Sequence, residues 1–71
     1  MGHANPFKGA KLRALRKKEL LSAKYIDIKV LGYLSGNNVN KFENGRTRPS
    51  EDIEQKLCEF FKVPKDYFRV D

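Results

Sequence analysis

With 71 residues, 39% of them hydrophobic and 34% charged, the chain has apolar material for one small core and no more. Its single Cys58 excludes an internal disulfide, one Cys with one His excludes a structural zinc site, and no apolar run approaches the roughly 18–20 residues of a membrane span. The net charge of +6 is unevenly spread: residues 1–49 carry eleven Lys or Arg against Glu19, Asp27 and Glu43, whereas residues 50–71 carry four basic and six acidic side chains.

A basic front half asks for an anionic partner, either nucleic acid or an anionic membrane surface. Met1–Asn5 has no pattern of basic and then apolar residues that would mark an export signal, so residues 1–5 read as a flexible tail and the setting as cytoplasmic, with a free thiol. His3 lies in that tail and is given no metal or catalytic role. Asn5-Pro6 reads as a helix start, Asn5 at the N-cap and Pro6 at the first helical position, and the helix runs to about Lys18. Leu12 and Leu15 share its inner face with Phe7 and Ala10, and Lys8, Lys11, Arg13, Lys17 and Lys18 crowd the remainder. Ser22 is a second N-cap. From Tyr25 to Leu34 two patterns compete: Ile26, Ile28 and Val30 alternate as in a strand, while Ile26, Val30 and Leu31 fit a helical face. Gly32 marks a stop.

Gly36-Asn37-Asn38-Val39-Asn40-Lys41-Phe42-Glu43 is a poor helix by propensity, since Gly costs about 1 kcal/mol and each Asn up to ~0.7 kcal/mol relative to Ala. Even so, Val39 and Phe42 are three apart and Asn44-Gly45 makes a left-handed C-cap. Asn-Gly also starts hairpins, but Arg46-Thr47-Arg48-Pro49 supplies no alternating apolar partner strand. Ser50 caps the clearest helix, with Glu51, Asp52 and Glu54 at its positive end and Ile53, Leu57, Phe60 and Phe61 at helical spacing. Cys58 packs there as a small apolar residue. Pro64 ends the helix, and residues 65–70 read as one last helical turn or two that dock Tyr67 and Phe68. The expectation is an all-α fold of five short helices, without repeats or linkers. No paired carboxylates, metal cluster or nucleophile–His set can be assembled, so the chain is read as no enzyme and as needing no cofactor.

Leu12-Arg13-Ala14-Leu15-Arg16, Leu21-Ser22, Leu31-Gly32, Ser35, Val39 and Phe42-Glu43-Asn44-Gly45-Arg46-Thr47-Arg48-Pro49-Ser50, followed by Leu57, Phe60, Val63-Pro64 and Asp66-Tyr67-Phe68, resemble the lambda Cro/repressor-like helix-turn-helix family, also called XRE. The resemblance covers about residues 7–70, and its most specific piece is Phe42-Glu43-Asn44-Gly45-Arg46 with Pro49. Three departures stand out between Ser22 and Gly45. The chain is about two residues longer there, Ala23 stands where a Gln is common, and the small residue usual in the middle of the second helix has no clear counterpart, Asp27 being one candidate.

The resemblance implies a compact lambda-repressor-like domain over residues 6–71, with the helix-turn-helix at about 22–43. It implies a transcriptional regulator that binds double-stranded DNA, a repressor of phage or mobile-element type acting as a homodimer on a palindromic operator. Asn37 and Lys41 then fall on the base-reading face with Asn38 and Asn40 close by, and Gly36 lets the backbone approach the DNA. Phosphates are met by Ser22, Lys24, Ser35, Asn44, Arg46 and Arg48, with free helix amides near Ser22 and Ser35; Lys17 and Lys18 extend the footprint. Arg16 and Glu43 form a partly buried ion pair between the first and third helices. The dimer surface is expected at Tyr67, Phe68 and Val70. The alternative within the same fold is an antitoxin-like protein-interaction module, but residues 50–71 are short for two tasks.

Overall fold

The computed structural model describes residues 6–34 and 36–70. Met1–Asn5, Ser35 and Asp71 lie outside the described residues, and with them the N-terminal tail, the Asn5 cap and the Ser35 phosphate contact. The described residues form four α-helices and no strand: α1 (Gly9–Lys18), α2 (Ala23–Tyr25), α3 (Asn38–Glu43) and α4 (Glu51–Phe61). A π-helical turn (Ile26–Val30) follows α2, and a single 3-10 turn (Tyr67–Arg69) closes the chain where a fifth helix was expected.

Helix α1 starts at Gly9, three residues after the position that Asn5-Pro6 indicates. The cause is tertiary. Phe7 is buried, its ring 4.9 Å from that of Phe68 and 6.4 Å from that of Phe42. The Lys8 N–H then donates to the Phe68 carbonyl at 2.6 Å, so the chain enters α1 from a contact with its own C-terminal turn. Leu12 is fully buried and Leu15 half-buried, but Ala10 is exposed and adds nothing to the inner face.

Ser22 Oγ accepts the Tyr25 N–H at 3.0 Å and so caps α2. The helix then widens without a break, and the Leu31 N–H closes a five-residue step onto the Ile26 carbonyl at 2.9 Å. The ambiguous stretch is thus helical as far as Val30, with Ile26 and Leu31 in the core, and the chain turns away at Gly32 with φ 78°. A π turn holds one more residue than an α turn, so it takes up part of the extra length between Ser22 and Gly45.

Helix α4 begins as its sequence reads: Ser50 Oγ accepts the Ile53 N–H at 3.3 Å. Leu57 and Cys58 are buried, Ile53 and Phe61 half-buried, and Phe60 is 38% exposed, its ring edge-on to that of Phe61. It stops at Phe61 on the left-handed Lys62 (φ 58°), ahead of Pro64. Burial pushes the Cys58 thiol up from its ordinary range, as for a packed apolar group. Two polar ties hold the last turn. Arg69 donates to Glu54 at 2.9 and 3.1 Å, and Lys11 Nζ donates to the Tyr67 and Val70 carbonyls at 2.8 and 2.6 Å with its charge 4.1 Å from the Tyr67 ring centre. Phe68 is fully buried between these ties, so it is part of the domain's own core and offers no dimer surface.

Candidate nucleic-acid interface

Six residues of α3 divide sharply. Val39 is fully buried and Phe42 nearly so, which docks the helix on α1 and α2 despite its poor propensity. Asn37 at the N-cap, Asn40 and Lys41 are exposed, and among the described residues none of these three side chains makes a hydrogen bond or ion pair. Asn37 and Lys41 are four apart, one above the other on the helix surface. Asn38 is half-buried at the edge of this face.

The far end of α3 is closed by backbone. The Asn44 N–H donates to the Asn40 carbonyl at 3.0 Å, Gly45 takes φ 76°, and the Arg46 N–H returns to the Lys41 carbonyl at 3.0 Å. Asn44, Arg46 and Arg48 follow this corner with exposed side chains, while Pro49 is buried and anchors the segment.

Gly36 sits in the bend before α3 and is half-buried. A Cβ there would lie 2.8 Å from Cγ of Lys24 and 3.0 Å from its Cβ. The close approach that glycine allows at this position is therefore to α2, inside the protein, and the Lys24 stem packs across the bend with the residue itself exposed.

At each of the two helix starts at least one of the amides expected to be free is engaged. At α2 the Tyr25 N–H is taken by Ser22. At α3 the Val39 N–H points at Asp27, both of whose carboxylate oxygens lie 3.1 Å away. Asp27 is fully buried, and a carboxylate at that end of α3 disfavours a phosphate there. Burial pushes the Asp27 carboxyl up from the ordinary aspartate range, and the Val39 and Asn38 amides pull it part of the way back. The sequence hint was thin: Asp27 lies between Ile26 and Ile28, on a stretch whose other inward positions are apolar.

Arg16 and Glu43 tie α1 to the end of α3. Arg16 donates from Nε and Nη2 to the two Glu43 oxygens at 2.6 and 2.9 Å and from Nη1 to the Leu21 carbonyl at 3.1 Å. The side chains are 14% and 4% exposed, so the pair is largely removed from water. The other buried carboxylate pair, Glu54 with Arg69, has no signal in the sequence beyond an acid on the inner edge of α4.

Among the described residues no helix is long and apolar enough to cross a membrane. No curated protein and no solved structure matches the chain. A family model described as helix-turn-helix matches residues 12–68, a span that begins within α1, takes in α2, the π turn, α3 and α4, and ends within the 3-10 turn. With that match over most of its length, the capped α2, the turn at Gly32 and the exposed face of α3, the chain belongs to the XRE-type, Cro/repressor-like helix-turn-helix family of DNA-binding regulators.

Proposed function

We propose that this chain is a sequence-specific regulator that lays α3 in the major groove of double-stranded DNA and acts, as a repressor of phage or mobile-element type, on a palindromic operator as a dimer. The observation that carries the reading is the division of α3: Val39 and Phe42 hold it from below, while Asn37, Asn40 and Lys41 face water with their hydrogen-bonding capacity unused. Asn matches the paired donor and acceptor of adenine, and Lys matches the two acceptors of guanine. Asn44, Arg46 and Arg48 follow in the same basic stretch, and Lys17, Lys18 and Lys24 are exposed on α1 and α2, a set suited to phosphates on either side of the groove. Six residues of helix make few base contacts. Two copies on half-sites about one helical turn (~34 Å) apart double them. The exposed Val70 and half-buried Tyr67 supply the remaining apolar material at the C-terminal end.

Selection of bound sites from random duplexes tests the reading directly. The expected product is a palindrome; a selected site without two-fold symmetry refutes the dimer, and no enrichment refutes sequence-specific binding. On the selected site, Lys41→Ala is expected to cost about 1–3 kcal/mol and to relax preference at one base pair. Arg48→Ala is expected to weaken all sequences alike and to lower the salt slope by about one. Equal loss on selected and random DNA for Lys41→Ala removes that residue from base reading.

A further inference from the structure

Three carboxylates are withdrawn from water among the described residues: Glu43, Glu54 and Asp27. The first two are neutralised by Arg16 and Arg69; Asp27 has no cationic partner there. Its charge is met by backbone amides at the start of α3, with both oxygens 3.1 Å from the Val39 nitrogen.

This cap is unusual in where it comes from. Asn37 occupies the N-cap position yet makes no side-chain bond to the helix. The acceptor comes instead from twelve residues upstream, in the π turn that follows α2. That turn is itself fixed at Asp27, whose own carbonyl receives the Tyr33 N–H at 2.9 Å as the chain leaves for the bend. A cap on the helix's own first residue moves with the helix; a cap on a neighbouring element holds the helix against that element. An isolated helix shorter than about 12–15 residues is marginal in water, so the six residues of α3 depend on tertiary contacts: Val39 and Phe42 hold its inner face, and anchors from other elements fix its ends. Arg16 secures the C-terminal end through Glu43, and Asp27 secures the N-terminal end.

We propose that Asp27 is a positioning residue for base reading: its carboxylate pins the first turn of α3 to the π turn and so fixes the angle at which Asn37, Asn40 and Lys41 meet the base edges. The inference rests on the function proposed above. Paired contacts to base edges tolerate little displacement, whereas phosphates are reached by long, flexible Lys and Arg side chains and carry no sequence information. Loss of the pin therefore acts on discrimination between DNA sequences more than on affinity for DNA in general.

The test compares the wild-type chain with Asp27→Ala, Asp27→Val and Asp27→Asn on the selected site and on a random duplex, together with amide hydrogen exchange. Asp27→Val fills the space without an acceptor, so it keeps the packing if Asp27→Ala fails to fold. In either variant the Val39 amide is expected to exchange about tenfold faster or more, with the Leu57 amide of α4 unchanged. Discrimination between the two duplexes is expected to fall about tenfold or more, with random-duplex affinity held within about twofold. Asp27→Asn keeps one acceptor oxygen and is expected to restore discrimination to within about threefold of wild type. A selective wild type with an equally selective Asp27→Ala or Asp27→Val overturns the role of Asp27 alone. A wild-type chain that selects no sequence overturns that role together with the proposed function, and Val39 exchange then still reports whether Asp27 holds α3.

Discussion

Glu43→Ala is expected to remove about 3–5 kcal/mol of folding stability, the usual result of stranding one charge of a buried pair. A domain of 71 residues has only about 4–10 kcal/mol in total, so the variant is expected to lose roughly a third of its stability or more and to melt at a much lower temperature. Arg16 without Glu43 keeps only the Leu21 carbonyl for its guanidinium. The reverse change, Arg16→Ala, strands the deeper partner, since the Glu43 side chain is 4% exposed against 14% for Arg16, and is expected to cost at least as much. Replacing both by apolar side chains is expected to cost much less than the two single changes together, because no charge is then left alone. Urea denaturation of the four proteins checks this. An unchanged midpoint in Glu43→Ala would show that the pair contributes nothing. The pair also joins α1 to the C-terminal end of α3, so operator binding is expected to fail with the fold in the single variants and to return with it in the double variant.

How far the amino-acid sequence reveals this molecule depends on whether the deciding interaction is local. Helix α4 was legible because its cap, Ser50, and its apolar spacing lie within one stretch of chain. The core side of α3 was legible for the same reason, through Val39, Phe42 and the Asn44-Gly45 corner. The start of α1 was not. Asn5-Pro6 is a sound local signal, but Phe7 and Lys8 are claimed by Phe68, some sixty residues away, and the helix forms only after them. The π turn was illegible because Ile26, Ile28, Val30 and Leu31 fit two periodicities and a turn of that width matches neither. On the candidate interface, the exposed positions of Asn37, Asn40 and Lys41 follow from the resemblance together with the buried pair Val39 and Phe42. The engagement of the Val39 amide by Asp27 does not, since it needs the distance between two elements. The apparent mismatches of the chain with its family, the extra length and an acid at a small-residue position, become one feature: the π turn takes up length and carries Asp27 to the start of α3.

Gly9→Ala is expected to be nearly as damaging as loss of the ion pair, although it adds a single methyl group at a helix start, where propensity alone favours Ala over Gly by about 1 kcal/mol. Helix α1 crosses the end of α3 at Gly9, and a Cβ there would stand 2.6 Å from the Glu43 carbonyl oxygen, 2.8 Å from its carbon, and closer still to the Phe42 oxygen. All three are backbone atoms, so no rotamer change relieves the clash and one helix must move. Overpacking ordinarily costs about 1–3 kcal/mol when side chains can adjust; here the adjustment separates α1 from α3 and stretches the 2.6 and 2.9 Å contacts between Arg16 and Glu43. The expected loss is therefore about 3 kcal/mol, which for a domain of this size lowers Tm by roughly 12–24 °C. Ala14→Gly, at an exposed position of the same helix, serves as the control and is expected to lose about 1 kcal/mol through propensity alone. A Gly9→Ala chain that melts at or above the wild-type temperature would mean that α1 and α3 do not meet backbone to backbone, and with that contact would go the frame that holds α3 in place for the groove.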